Sequence, residues 1–194
     1  MKVSREKARE NHEHVIDTAS RLLRERGYDG IGVADLMKAA GLTHGGFYRN
    51  FSSKDDLIAK ASKRATEESK KTLNDVLGAN ADVAFDILIN QYASKAHCDD
   101  AGSGCILPAL AADAARRPDP ALRTVFDDAI AGYIDQLTDL QSTMPKHTRQ
   151  RSPAAILAEM VGAVVLARAA GNSDIAESLL SAVVADLTAQ PATL

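Results

Sequence analysis

The sequence predicts an all-α protein. Ala and Leu are abundant, aromatic residues make up only 4% of the chain, and no segment sustains the period-two alternation of β-branched residues that marks a strand. Breaks rich in Gly, Pro, Asn and Ser ("CDDAGSG", "RPDP", "MPKHTRQRSP", "GNS") divide the rest into stretches of helical length.

The first helix is expected over about Arg5 to Arg26. Val15, Ile16, Ala19, Leu22 and Leu23 recur at spacings of three and four, basic residues fill the last turn, and Gly27 stands where a C-terminal cap belongs. "VADLMKAAG" gives a second helix with Val33, Leu36, Met37 and Ala40 on one face, stopped by Gly41. Thr43 can cap a third, short helix running to about Phe51, and Ser53 a fourth from Lys54 towards Leu77. Beyond the "LGANAD" break near Gly78, helices are expected at about Val83 to His97, Cys105 to Arg116, Pro120 to Leu140, Pro153 to Ala170 and Ser173 to Ala189.

Composition bounds the class. The chain has 194 residues, 45% of them hydrophobic and 25% charged, which fits one or two globular domains. No apolar run approaches the ~20 residues that span a bilayer, and the charged N-terminus has no signal-peptide core, so the expected location is the cytoplasm, with no membrane partner. The two cysteines, Cys98 and Cys105, are too few for a disulfide scaffold. The net charge of −3 hides an asymmetry: residues 1 to 71 hold 15 Lys+Arg against 11 Asp+Glu, a balance of +4, and the remainder holds −7. The first third is the better candidate to meet a polyanion.

The stretch "GLTHGGFYRNFSSKDDL" carries the sharpest signal. A helix ending at Gly41, a turn through Leu42 and a short helix carrying Tyr48 and Arg49 read as a helix-turn-helix, whose second helix enters the DNA major groove by its N-terminal end. The adjacent Gly45 and Gly46 would each cost about 1 kcal/mol against alanine in a free helix. Without side chains there, the backbone N–H groups can come close to phosphate, so the compensation comes from the complex. Thr43 and His44 would face bases, Tyr48 and Arg49 would reach a base edge or phosphate, and Lys54 would point a charge at the backbone. Phe47 and Phe51 share the opposite face, as core against Leu36 and Ala40.

The run "GYDGIGVADLMKAAGLTHGGFYRNFSSKDDL" resembles the N-terminal domain of the tetracycline-repressor (TetR) family. Its signature runs from Gly-Tyr after the first helix, through Ala-Gly and an aromatic pair, to Phe and then Lys before an acidic-Leu end. The resemblance covers about residues 9 to 60. It implies DNA contacts at Thr43, His44, Gly45, Gly46, Tyr48, Arg49, Asn50 and Lys54, with a lesser part for Gly32 and Val33. Two positions depart from the pattern: members often carry a hydroxyl where Gly32 stands and His or Tyr where Asn50 stands. The resemblance also implies a bacterial, cytoplasmic, non-enzymatic regulator.

The remaining chain is expected to dimerise and to receive a signal. A helix-turn-helix head reads one half-site, so a palindromic operator in double-stranded DNA calls for a homodimer. Ala155, Ala158, Gly162 and Val165 on one helix, with Leu179 and Val183 on the next, suit a four-helix interface in which small residues let axes approach closely. Tyr92, His97, Cys105, Leu107, Leu110, Phe126 and Tyr133 could line a mostly apolar pocket for a small-molecule effector. The resemblance implies that such a ligand would favour the state that does not bind DNA.

Alternatives come from the same residues. Cys98 and Cys105 bracket a loop, and their oxidation could act as a redox or electrophile switch, although Asp99 and Asp100 would raise the Cys98 pKa. His97, Cys98 and Cys105 match no common zinc spacing, so no metal or other cofactor is expected. No nucleophile elbow, phosphate loop, dinucleotide fingerprint or paired-histidine zinc motif occurs, so no enzyme is expected. A non-catalytic protein-interaction module is the remaining class. The sequence thus predicts a helix-turn-helix DNA-binding domain at 1–55 and a helical ligand-binding and dimerisation domain at 56–194. Together they would make a repressor released from its operator by a small molecule.

Overall fold

A computed structural model describes residues 5–79, 83–143 and 151–189. Among them every regular element is a helix: α1 (Arg5–Arg26), α2 (Val33–Ala39), a 3₁₀ turn (His44–Gly46), α3 (Phe47–Asn50), α4 (Lys54–Ala79), α5 (Ala84–Tyr92), α6 (Lys95–Asp99), α7 (Ile106–Ala115), α8 (Pro120–Thr143), α9 (Pro153–Ala170) and α10 (Asp174–Thr188). Two compact units form, one from residues 1–68 and 101–126, the other from 69–100 and 127–194.

In the first unit, α1 buries Val15, Ile16, Ala19, Leu22 and Leu23 as its periodicity predicts. It ends where Gly27, at φ +75°, turns its N–H back to the Leu23 carbonyl. Arg24 is buried on the same stripe and is fully engaged: it donates to the Ser20 carbonyl and hydroxyl, to the Gly104 carbonyl at 3.0 Å and to Glu68 of α4 at 2.6 Å. A buried guanidinium is tolerated only when its donors are satisfied in this way. Tyr28 is wholly buried, its hydroxyl 2.8 Å from Ser62 Oγ on α4 and its backbone N–H donated to Asp113 Oδ2 on α7. Burial holds the Tyr28 phenol neutral, well above the ordinary tyrosine range. The segment 101–126 is therefore structurally part of the head.

In the second unit, α9 and α10 are joined through Gly171 and capped at Ser173, whose hydroxyl accepts the Ala176 N–H. Ala93, Ala163, Ala167, Ala176 and Leu180 form their shared core, with Cys98, Val183 and Val184 packed against it. Arg168 of α9 donates to the carbonyls of His97 at 2.8 Å and Cys98 at 3.2 Å, satisfying acceptors at the end of α6 that have no helical partner.

Two expectations are corrected. The helix expected over 83–97 is two, α5 and α6, because Ser94 leaves helical geometry and its hydroxyl caps a new turn by accepting the His97 N–H. The statement that no apolar run approaches bilayer-spanning length fails for α9, whose 18 residues are long and apolar enough by length and composition. Only 33% of that helix is buried, so its apolar character extends to its outer face. The fourth helix ends as expected, α4 stopping at Ala79 beside Gly78. Parts of the "LGANAD" and "MPKHTRQRSP" breaks lie outside the described residues.

Candidate nucleic-acid interface

The turn between α2 and the 3₁₀ segment is set by local sequence. Gly41, at φ +68°, donates to the Lys38 carbonyl, and Leu42 donates to the Met37 carbonyl at 2.9 Å, the paired reverse bonds that end a helix on a left-handed glycine. The chain then extends through Thr43 and winds tightly over His44–Gly46 before one α-turn, Phe47–Asn50. Phe47 and Phe51 are buried with ring centroids 5.5 Å apart, and Leu36, Met37 and Ala40 are buried in the same unit. Ser53 caps α4: its hydroxyl accepts the Asp56 N–H, and Asp56 in turn accepts the Ser52 N–H, both at 3.0 Å. Burial opposes ionisation of the Asp56 carboxyl, but the Lys60 ammonium and the hydrogen bonds from Ser52 outweigh it and hold the carboxyl below its ordinary range.

On this scaffold Thr43, His44, Gly45, Tyr48 and Arg49 are exposed, and Gly32 with them; Val33, Gly46, Asn50 and Lys54 are half-buried. Tyr48 shows 70% of its surface, high for so large a ring, and its edge meets the His44 ring with centroids 6.2 Å apart. Arg49, Lys54 and Lys38 have no carboxylate partner among the described residues, whereas Arg24, Arg64 and Arg117 in the same unit are all paired. Two details depart from expectation. Thr43 occupies the N-cap position, but its hydroxyl makes no cap bond, because the following turn is 3₁₀ and its Gly46 N–H goes to the Thr43 carbonyl. Asn50 donates Nδ2 to the Gly46 carbonyl at 2.7 Å, so this donor is already used within α3.

The glycine pair has no internal explanation. A Cβ on Gly45 would meet nothing within 4 Å, and one on Gly46 would make only ordinary contacts with Met37 and Thr43. Neither glycine has positive φ. The fold would accept alanine at both.

With that geometry in hand, residues 15–61 match the profile of the bacterial regulatory proteins of the tetR family. Residues 15–61 are thus a helix-turn-helix domain of the TetR family. LmrA, a transcriptional regulator of Bacillus subtilis, is 24% identical over 84% of this chain and 89% of its own length. AcrR of Shigella flexneri is 33% identical over 29% of this chain and 26% of its own length. Two solved structures share the fold: the reduced form of Escherichia coli NemR (TM-score 0.76, 23% identity, 95% of this chain and 100% of that one) and a TetR regulator from Chloroflexus aurantiacus (TM-score 0.77, 24% identity, 95% and 98%). This chain is thus a DNA-binding transcriptional regulator with a helix-turn-helix head, and its relatives are transcriptional regulators.

The other predicted residues scatter. Of the seven proposed for a pocket, Cys105, Leu107, Leu110 and Phe126 are buried in the first unit, and Tyr92, His97 and Tyr133 lie in the second. In the second unit, His97 packs on Tyr92 (centroids 4.6 Å apart) and its Nδ1–H donates to the Tyr92 carbonyl at 2.7 Å. Burial, aided by Arg168, lowers its pKa. That unit also has a groove of about 910 Å³, lined by Lys95, Cys98, Asp99, Arg168, Glu177 and Leu180 among others, and by none of the seven. Both cysteines are free thiols. The Cys98 pKa is raised as expected, but mainly by burial, with Asp99 adding and Arg168 and Lys95 opposing. Among the described residues no group of His, Cys, Asp and Glu is placed to hold a metal. Of the six interface candidates, Ala155, Ala158 and Val165 are exposed, and Gly162, Leu179 and Val183 half-buried.

Proposed function

We propose that this regulator is a homodimeric repressor that reads a palindromic operator through Thr43, His44, Gly45, Gly46, Tyr48, Arg49 and Lys54, and leaves it when a small molecule binds. Gly32, Val33 and Asn50 support that face, Asn50 by holding the Gly46 carbonyl as much as by contacting DNA. The observation that carries the reading is the glycine pair. Two residues that weaken a helical segment, one with open space and the other with ordinary room where a side chain would sit, lie among exposed Thr43, His44, Tyr48 and Arg49 and beside unpaired cations. A close-approaching polyanion accounts for both.

Dimerisation is proposed through the outer face of α9, where Ala155, Ala158, Gly162, Val165 and Leu166 leave an apolar, small-residue stripe, continued by Ile175, Leu179 and Val183 on α10. A Cβ on Gly162 would meet nothing within the chain, as expected where a second helix packs closely. An apolar face on a cytoplasmic regulator is covered by its twin rather than by lipid. The effector is proposed to enter the helical region that includes Tyr92, His97 and Tyr133. Neither cysteine chemistry nor catalysis is needed.

The test is retention of genomic fragments by the purified protein, followed by sequencing. A shared palindrome, bound with an affinity that falls steeply with salt, is the expected result. No enrichment, or weak salt-insensitive binding, would point to a protein-interaction module.

A further inference from the structure

We propose that Arg117 is a positioning residue for DNA binding: brought from the end of α7, its guanidinium neutralises Asp55 and Asp29 so that Lys54 meets phosphate without a bare carboxylate beside it. The inference rests on the reading of residues 43–54 as the DNA face.

The first turn of α4 is electrostatically awkward for that task. Lys54 is followed by Asp55 and Asp56, and two carboxylates next to a phosphate contact oppose it. Each acid is answered by its own cation. Asp56 holds Lys60 at 2.7 Å, one helical turn on. Asp55 has no such neighbour on its own helix; its partner is Arg117 Nη1, at 2.8 Å and 62 residues away in sequence. The other nitrogen of the same guanidinium bonds Asp29, in the turn after α1. Lys54 is left as the uncommitted charge of the turn.

Arg117 is built to stay there. Pro118 follows it and disfavours helical geometry at Arg117, which lies just past the end of α7. The guanidinium carbon lies 5.5 Å from the centroid of the buried Tyr28 ring, a cation–π contact. Four residues back, Asp113 accepts the Tyr28 N–H, so the α7 end is tied to the same turn that carries Asp29. Stability alone is a weak reason for this arrangement, since ion pairs to carboxylates as exposed as Asp29 (88%) and Asp55 (60%) contribute little to folding. Their place beside Lys54 gives the charge a use.

The experiment compares the parent dimer with Arg117→Ala, Arg117→Lys, Asp55→Asn and the Arg117→Ala/Asp55→Asn double variant. Each is titrated against the operator duplex recovered by selection with the parent and against a random-sequence duplex, with thermal unfolding in parallel. Arg117→Ala should lower affinity for both duplexes about tenfold, because a charge and not a base contact is lost, while its unfolding stays near the parent's. The double variant should recover to within about threefold of the parent, and Arg117→Lys should keep most of the affinity. Parent-like binding by Arg117→Ala would overturn the proposal. So would failure of Asp55→Asn to rescue, above all with a depressed melting temperature, which would make Arg117 a structural brace. If the parent itself bound neither duplex, the DNA reading would fall and the proposal with it, an outcome distinct from the others.

Discussion

The helix-turn-helix face and the outer face of α9 both carry glycines that the chain itself does not need, yet everything around those glycines differs. Gly45 and Gly46 stand among Thr43, His44, Tyr48 and Arg49, whereas Gly162 stands on a stripe of Ala155, Ala158 and Val165. Gly27 is the contrast to both. Its φ of +75° and an Asp113 oxygen 2.7 Å from where a Cβ would sit explain it from within. A residue that costs about 1 kcal/mol in a helix and has no internal reason marks where something outside comes close. In the function proposed above its neighbours distinguish the two partners: polar and cationic for DNA, apolar and small for a second copy.

The largest effect should come from spoiling the α9 face. Val165→Glu places a charge in a contact that would be desolvated in the dimer, so sedimentation should show monomer where the parent is dimeric. Losing the second head removes the gain from two linked half-site contacts, and operator affinity should fall roughly 100-fold or more. A variant that stays dimeric would move the interface elsewhere and leave Gly162 unexplained.

Next in size is the head's own glycine. Gly45→Ala should leave unfolding unchanged or raise it by about 0.5–1 kcal/mol in denaturant titrations. Operator affinity should fall about tenfold, since a methyl group then stands where backbone meets phosphate. Stability and binding moving in opposite directions is the signature of a surface shaped for a partner. Loss of both together would assign the glycine to folding.

These contrasts show what the sequence could disclose. Gly41, Ser53 and the apolar stripes of α1 and α2 act through neighbours within a turn or two, so their roles were legible before any coordinates. Arg24 was not: it reads as an interruption of the Leu22–Leu23 stripe, and its partners Glu68 and Gly104 lie 44 and 80 residues away. The attachment of α7 to the head was hidden for the same reason, since Asp113 and Tyr28 are 85 residues apart. The break between α5 and α6 turned on one serine hydroxyl within an otherwise continuous helical pattern. The seven pocket candidates were chosen for composition alone, which does not specify which unit a side chain faces. The glycine pair stood out in the sequence because its cost is local, and the structure supplies no internal reason for it.

Smaller effects separate roles within the head. His44→Ala should lose about 1–3 kcal/mol of discrimination between operator and random DNA if His44 reads a base. Lys54→Ala should weaken all duplexes alike and reduce the slope of log affinity against log salt by about one if it holds phosphate. Titrations at several salt concentrations distinguish the two, and equal losses on both duplexes for both variants would refute the division.

The smallest expected effect sharpens the comparison from the α9 side. His97 is half-buried, and desolvation together with the nearby Arg168 charge of α9 disfavours a second proton on this ring, although the Tyr92 carbonyl that accepts its Nδ1–H and the neighbouring Asp100 favour one. The folded pKa therefore lies below the ordinary 6.5, and the unfolded chain binds the extra proton first on acidification. The stability held by neutral His97 is complete above 6.5 and is lost as pH falls from there through the folded pKa. His97→Gln should flatten that decline in denaturant midpoints measured from neutral pH downward. Hydrogen exchange should place the difference between variant and parent in the amides of α6 and the end of α9, with the amides of Val33–Asn50 responding alike in both. A difference appearing instead in the head would mean that the acid-sensitive group belongs to the DNA face.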